Sequence, residues 1–401
     1  MKAFQTQATR YSYLGYELVG GGVLSLEVSL RNARLFTLSR HHLLERAPRS
    51  RALEVVGDIL GLNAQGSLNV QLSLWNRVDG LDTGFIPQAL YVDRTLVKTW
   101  VMRDTVHVVP TANLPLICRA LEHSLMTEWN RWTVKTGTKQ SATSWEPMYN
   151  DVLDALGDGS LAIKQLMEAL AWSGRESLRI LSRLVREMSL RGTVCHAESS
   201  GPWYHNTGNT FASVDKWLPD IDLASVSEEE ALCDLAMRYL AVYGPASVRD
   251  FAYWTGMRVR EARPVFDSMA DSLVEVTVPE QKGILFIQES DVSELLDAAE
   301  RPVQARLLPQ FDALIMGHKD KTRFIEPQTM SRVFLPRGDV AATILVDGRV
   351  HGVWTMKKEK KIWRLELSSF DKLSEEGVEG VESEIEGLRS FSGFEIELSW
   401  S

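Results

Sequence analysis

In the stretch GLNAQGSLNVQLSLWNRV, Gly61 to Val78, Asn63 and Gln65 stand two positions apart, just where an apolar helix runs out. In a helix, residues i and i+2 point about 200° apart; in extended backbone they point the same way. With extended backbone, then, two neutral amides face one spot and no carboxylate accompanies them. An amide offers one acceptor oxygen and two N–H donors and cannot hold a proton, so it is no general base. Such a pair works by orienting hydrogen bonds and dipoles. The competing reading is turn chemistry, since Asn, Gln and Gly gather in turns for backbone reasons.

Other chemistry is thin. Cys118, Cys195 and Cys233 are scattered and odd in number, no C-x-x-C occurs, and no Cys/His set has metal-ligand spacing. Structural zinc, iron–sulfur clusters and disulfides are therefore not expected, and neither metal nor cofactor is. The eight histidines are dispersed. A chain of 401 residues suggests two to four domains, and its 44% hydrophobic and 24% charged content is ordinary for a globular protein. No run reaches the ~18 apolar residues of a membrane span, and no signal peptide is read, so the expected location is cytoplasmic. The net charge of −9 argues against a bulk nucleic-acid binder but leaves room for a local basic face.

Several segments must position the amides and any partner surface. RALEVVGDILGL puts Leu53, Val56, Ile59 and Leu60 on one helical face, and Gly61 is a plausible stop. LVKTWVMRDTVHVVP, Leu96 to Pro110, alternates as a strand or hairpin arm, with Arg103 and His107 on one face. Between Ser160 and Gly192 a short amphipathic helix, a turn and a second helix follow one another. The second carries Arg175, Arg179, Arg183 and Arg186 within about 80° of its surface. A hairpin signal comes next, giving the winged-helix order with a basic helix as groove reader. The pattern recurs over Ser227–Gln288, where the second helix carries Arg258 and Arg260, Pro264 should kink it or mark its first turn, and the hairpin tip falls at Pro279 to Gly283. After Arg301 the Asp347–Gly348 pair between alternating runs reads as a β-meander, followed by the acidic helix SEEGVEGVESEIEGLRSF.

These blocks occur in one order: GLNAQ, LSLWNRV, LVKTWVMRDTVHVV, YGPASVRDFAYWTGM, LLPQFDALIMGHKDK and TILVDGRVHGVWT. Together they resemble the AlkZ-like winged-helix family of bacterial DNA glycosylases, which includes the YcaQ proteins, from about Arg31 to near the C-terminus. The resemblance implies an α+β fold of tandem winged-helix domains with a C-terminal β-rich domain. Over this chain that divides into an N-terminal extension (1–30), a first winged-helix-like domain with the amide motif (31–135), a second (136–222) and third (223–300) winged helix, and a β-rich domain with a terminal acidic helix (301–401).

It also implies a monofunctional glycosylase without cofactor. Its partner would be double-stranded DNA, and it would excise cationic N7- or N3-alkylated purines, with bulky adducts and interstrand crosslinks within the family's range. A nucleoid-associated location follows. The family motif is Gln–aliphatic–Gln, or Gln–aliphatic–Asp in the YcaQ branch. Gln65 matches its second Gln, whereas Asn63 replaces the first, keeping the amide and losing roughly 1.3–1.5 Å of reach. This departure bears on activity and substrate range. A purine alkylated at a ring nitrogen is already cationic and leaves without acid assistance, so amides that hold a water and steady the oxocarbenium ion suffice where other glycosidases need two carboxylates. Asp312 could assist that water or equally be a capping or salt-bridge residue, and Arg103 and His107 could line the pocket or touch phosphate. Arg175, Arg179, Arg183, Arg186, Arg258, Arg260, Lys319, Lys321, Arg323 and Arg337 are the candidate DNA contacts. The alternatives are a non-enzymatic winged-helix DNA binder, such as a regulator or damage sensor, and a protein-interaction scaffold.

Overall fold

The computed structural model describes residues 17–19, 23–135, 137, 145–198, 201–202, 204, 208–297, 305–359 and 362–401. Most of the N-terminal extension and the tip of the hairpin expected after Gly192 lie outside them. The chain packs as two units. One comprises Met1–Arg46, Ala236–Ala252 and Ala262–Ser401; the other comprises Ala47–Leu235 and Tyr253–Glu261. Residues 31–46 and 47–135, read as one segment in the sequence, thus fall in different units. The architecture is mixed α+β.

The second unit holds the amide motif. Helix α1 (Ala52–Asp58) buries Val55 and Val56, while Leu53, expected on the buried face, is 37% exposed. The helix ends because Leu60 and Gly61 both turn left-handed, at φ 60° and 106°. A Cβ at Gly61 would sit 2.7 Å from Val109 Cγ1, so this position requires glycine for both its backbone and its space. The turn delivers strand β1 (Leu62–Asn63) antiparallel to β3 (Val106–Pro110), with Leu62 opposite Val108 and Asn63 opposite His107. Strand β3 in turn pairs with β2 (Leu96–Trp100). Leu96–Pro110 is therefore a whole hairpin, not one arm of one. Arg103 and Asp104 form its tip at φ 54° and 55°, and Arg103 does not share a strand face with His107.

From Glu146 the order is helix α2 (Glu146–Leu156), strand β4 (Leu161–Ala162), helix α3 (Ile163–Ala169), helix α4 (Gly174–Leu190) and strands β5 (Val194–His196) and β6 (Thr210–Ser213). Helix α4 buries Leu181, Leu184, Val185 and Met188 against Val152, Leu156 and Leu166, but Leu178 is 39% exposed. Six strands make one sheet in the order β1-β3-β2-β5-β6-β4, so the strands beside the amides and those after the arginine helix belong to a single scaffold. Burial of the α4 apolar face, at roughly 25 cal/mol per Å² removed from water, holds that helix to the sheet.

A similar order recurs later. Helix α5 (Glu228–Tyr243) is followed by a bridge between Ala246 and Phe286, helices α6 (Val248–Thr255) and α7 (Val259–Ser268), and strands β7 (Leu273–Thr277) and β8 (Leu285–Gln288). Pro264 lies inside α7, in its middle and not in its first turn. In the first unit, β7 and β8 form a sheet with two N-terminal strands. A five-stranded sheet follows, built from β9 (Ala305–Leu308), β10 (Ala342–Val346), β11 (Arg349–Glu359), β12 (Ile362–Ser369) and β13 (Glu395–Trp400). Asp347 and Gly348 make its left-handed two-residue turn, as an Asp-Gly pair favours. The acidic helix is α8 (Glu375–Ser392), capped by Ser374 and ended by Gly393 at φ 69°.

Candidate active site

Extended backbone at Asn63 and Ala64, with the Ala64 N–H bonded to Val106 O, turns both amides the same way. They meet. The Gln65 backbone N–H donates to Asn63 Oδ1 at 3.1 Å, and Asn63 Nδ2 donates to Gln65 Oε1 at 3.2 Å. Asn63 is buried at 7% exposure and Gln65 is exposed, so the pair forms a shelf with a fixed inner and an open outer member. His107 stands opposite Asn63 on the same face of the sheet, buried, with Nδ1 3.0 Å from Thr105 O. Burial pushes its imidazole down to about 3, with the Arg103 charge adding to the effect, so the ring is neutral. A carbonyl only accepts, so Nδ1 carries the hydrogen.

The hairpin tip beside this shelf is charged. Arg103 Nη1 donates to Trp254 O at 3.1 Å, and its guanidinium lies 5.6 Å over the Tyr253 ring. Arg186 grips the Asp104 carboxylate with two bonds of 2.7 and 2.6 Å and also reaches Asp104 O. Burial raises the Asp104 carboxyl to about 6, against the lowering pull of Arg186. Arg103, Asp104, Glu128, Trp129, Arg186 and Gly256 line a cavity of about 500 Å³ there. Asp104 stands inside an alternating run whose single turn signal is the adjacent Arg-Asp pair at its middle, which hides its place at a hairpin tip from the sequence.

The arginine stripe is graded along α4, which packs on β2. Arg175 and Arg179 are exposed, with Arg179 paired to Glu176 at 2.7 Å, and Arg183 is half-buried. Arg186 is committed to Asp104, so it acts from within the protein. Arg258 pairs with Glu128, while Arg260 is open to solvent. In the first unit Lys319 and Arg337 are exposed, and Lys321 gives its ammonium to Ile315 O. Two residues there differ from the sequence expectation. Arg323 is fully buried and bonded to main-chain carbonyls, so it cannot reach DNA. Asp312 is 2% exposed and caps the short helix Ala313–Met316 through Leu314 N, so it is a structural residue and not an assistant to water. Trp75 and Trp254 are buried, as core indoles are.

Among the described residues no cluster of His, Cys, Asp and Glu could hold a metal, and no helix is long and apolar enough to cross a membrane.

His107 and His196 are both buried and held near 3, burial being the main cause. A group whose folded value lies below its unfolded value near 6.5 contributes stability that is complete above about 6.5 and is lost as pH falls toward 3. Lowering the pH from 7 to 5 is expected to cost on the order of 2 kcal/mol per histidine. Urea midpoints at the two pH values check this, and His196→Gln should remove one histidine's share of the difference.

The family model for "DNA glycosylase AlkZ-like" matches residues 56–391. A curated relative, the interstrand DNA cross-link repair glycosylase of Streptomyces sahachiroi, is 26% identical over 384 residues, covering 92% of this chain and 98% of that protein. The solved structure of the Streptomyces sahachiroi DNA glycosylase AlkZ superposes with a TM-score of 0.78 at 24% identity, over 94% of this chain and 100% of that one. The chain belongs to the AlkZ-like family and is a DNA glycosylase. DNA is accordingly its substrate.

Proposed function

We propose that the chain is a monofunctional glycosylase that removes cationic N7- or N3-alkylated purines from duplex DNA, with water attacking the sugar carbon under the guidance of the Asn63/Gln65 shelf. The observation that carries this reading is the convergence of two neutral amides, one exposed, where the family keeps its Gln–aliphatic–Gln motif. A lesion that leaves as a neutral base needs no proton, and the shelf offers none. Its openness suits bulky adducts and crosslinks, as the name of the Streptomyces relative also suggests. Base access then takes extrusion from the stack or an already distorted duplex.

The two recurrences of helix, strand or bridge, two helices and hairpin support two winged helices, with α4 and α7 as groove readers. Such an enzyme works at the nucleoid. Exposed Arg175, Arg179, Arg260, Lys319 and Arg337 are the residues open to phosphate. Arg179→Ala should weaken binding to duplexes of any sequence alike and lower the salt slope by about 1, read by anisotropy titrations at several salt concentrations.

The activity is tested by incubating the protein with duplex carrying N7-methylguanine, heating with alkali and measuring strand breaks. Breaks well above a buffer control support the reading. Tight binding without breaks would reduce the protein to a damage-binding one.

A further inference from the structure

The two amides of the shelf are not equivalent, and the hydrogen bonds between them say which does what. A backbone N–H can only donate. The Gln65 N–H therefore fixes the atom it meets on Asn63, at 3.1 Å, as oxygen. The other end of Asn63 is then Nδ2, and it donates to Gln65 at 3.2 Å, which fixes that atom as Oε1. Each end of Asn63 thus makes a bond to Gln65. The Gln65 oxygen faces inward, and its Nε2, with two hydrogens, faces out from an exposed side chain. Donors can hold the oxygen of a water but cannot receive its proton. The missing acceptor stands across the strand pair. His107 is the register partner of Asn63, so their side chains rise from one face about 5 Å apart at the backbone. Its Nδ1–H is spent on Thr105 O, leaving Nε2 as a lone-pair acceptor.

We infer that Asn63 is a positioning residue that locks Gln65 with its donors outward, and that His107 Nε2 completes the water site as acceptor. This rests on the function proposed above. The nucleophilic water accepts a hydrogen bond from Gln65 Nε2 and donates one to His107 Nε2. Its second lone pair forms the bond to the sugar C1′. The C1′–N bond to the purine breaks and its electron pair neutralises the cationic base. The water proton passes to His107 Nε2 and then to solvent.

The test is a double-mutant cycle of single-turnover excision rates on duplex carrying N7-methylguanine, at saturating protein. Gln65→Ala lowers the rate, and adding Asn63→Ala in that background produces no further loss, because Asn63 acts only through Gln65. Asn63→Asp keeps the acceptor for the Gln65 N–H but cannot hold Oε1, so its rate falls about tenfold at unchanged Kd. His107→Phe, which fills the space without an acceptor, lowers the rate with Kd retained, and His107→Gln restores part of it. Losses from Asn63→Ala and Gln65→Ala that multiply would overturn the inference, as would an Asn63→Asp enzyme as fast as wild type. A His107→Gln enzyme no faster than a correctly folded His107→Phe enzyme would remove the acceptor role; should His107→Phe fail to fold, His107→Gln at full wild-type rate supports it and at the Gln65→Ala rate opposes it. A Gln65→Ala enzyme with undiminished excision would instead sink the proposed use of the shelf itself.

Discussion

Gln65→Ala is expected to lower excision of N7-methylguanine by roughly 10²–10³-fold while leaving duplex affinity nearly unchanged. Gln65 is the exposed member of the shelf, its carbonyl oxygen is held by Asn63, and its free donors are what an incoming water meets. An oriented donor at a reacting centre contributes to the transition state and little to the ground state, so the loss should fall on the rate of the bound complex. The exposed position also means that truncation leaves no cavity, and the effect on stability should be limited to the lost Asn63 Nδ2 bond, about 1 kcal/mol. A loss of binding with an intact rate would instead mark Gln65 as a DNA contact.

Arg323→Met is the second large effect, and it falls on stability: a loss of about 3–5 kcal/mol is expected, with affinity for DNA per folded molecule retained. The Arg323 guanidinium is fully buried, yet burial lowers it only to about 10, so it stays charged at neutral pH. It gathers Thr37 Oγ1 at 3.0 Å, Tyr243 O at 3.2 Å, Pro245 O, and Gln281 Oε1 at 3.0 Å. These acceptors come from three separate stretches of the first unit. Methionine of similar length fills the space but leaves them without donors, the costly half of breaking a buried polar network. Urea denaturation of wild type and variant measures it. Undiminished stability together with weakened binding would return Arg323 to the DNA surface.

Arg323 also marks where sequence reasoning ran out. In sequence it is indistinguishable from Lys319, Lys321 and Arg337, because basic residues close together look alike; only the fold distinguishes an arginine enclosed by carbonyls from a lysine in water. Asp312 is a related case: its type and place allow either a water-assisting or a capping role, and only its burial and the bond from Leu314 N decide for the cap. Patterns carried by local physics were legible. Gly61 stopped the helix, Asp347–Gly348 turned the meander, and Ser374 opened the acidic helix, because φ, turn type and capping are set within a few residues. The non-helical Asn63–Gln65 segment was legible for the same reason, and so was the turn in which the Gln65 N–H closes on Asn63 Oδ1. The pairing of Asn63 with His107 was not, since register across a separation of 44 positions depends on where the hairpin tip falls, and two left-handed residues at Arg103 and Asp104 shifted it. The final strand β13, parallel to β12, also went unseen because its short acidic run looks like the tail of a helix.

The central claim is that neutral groups, two amides and an uncharged imidazole, carry this hydrolysis without a carboxylate base. The most direct test is the pH dependence of the single-turnover excision rate at saturating protein, between about pH 5 and 7, with folding monitored at each point. No member of the shelf titrates in that window, so the rate should be flat. A rate that falls with decreasing pH around 6, where Asp104 takes up its proton, would assign the water to that carboxylate and contradict the account.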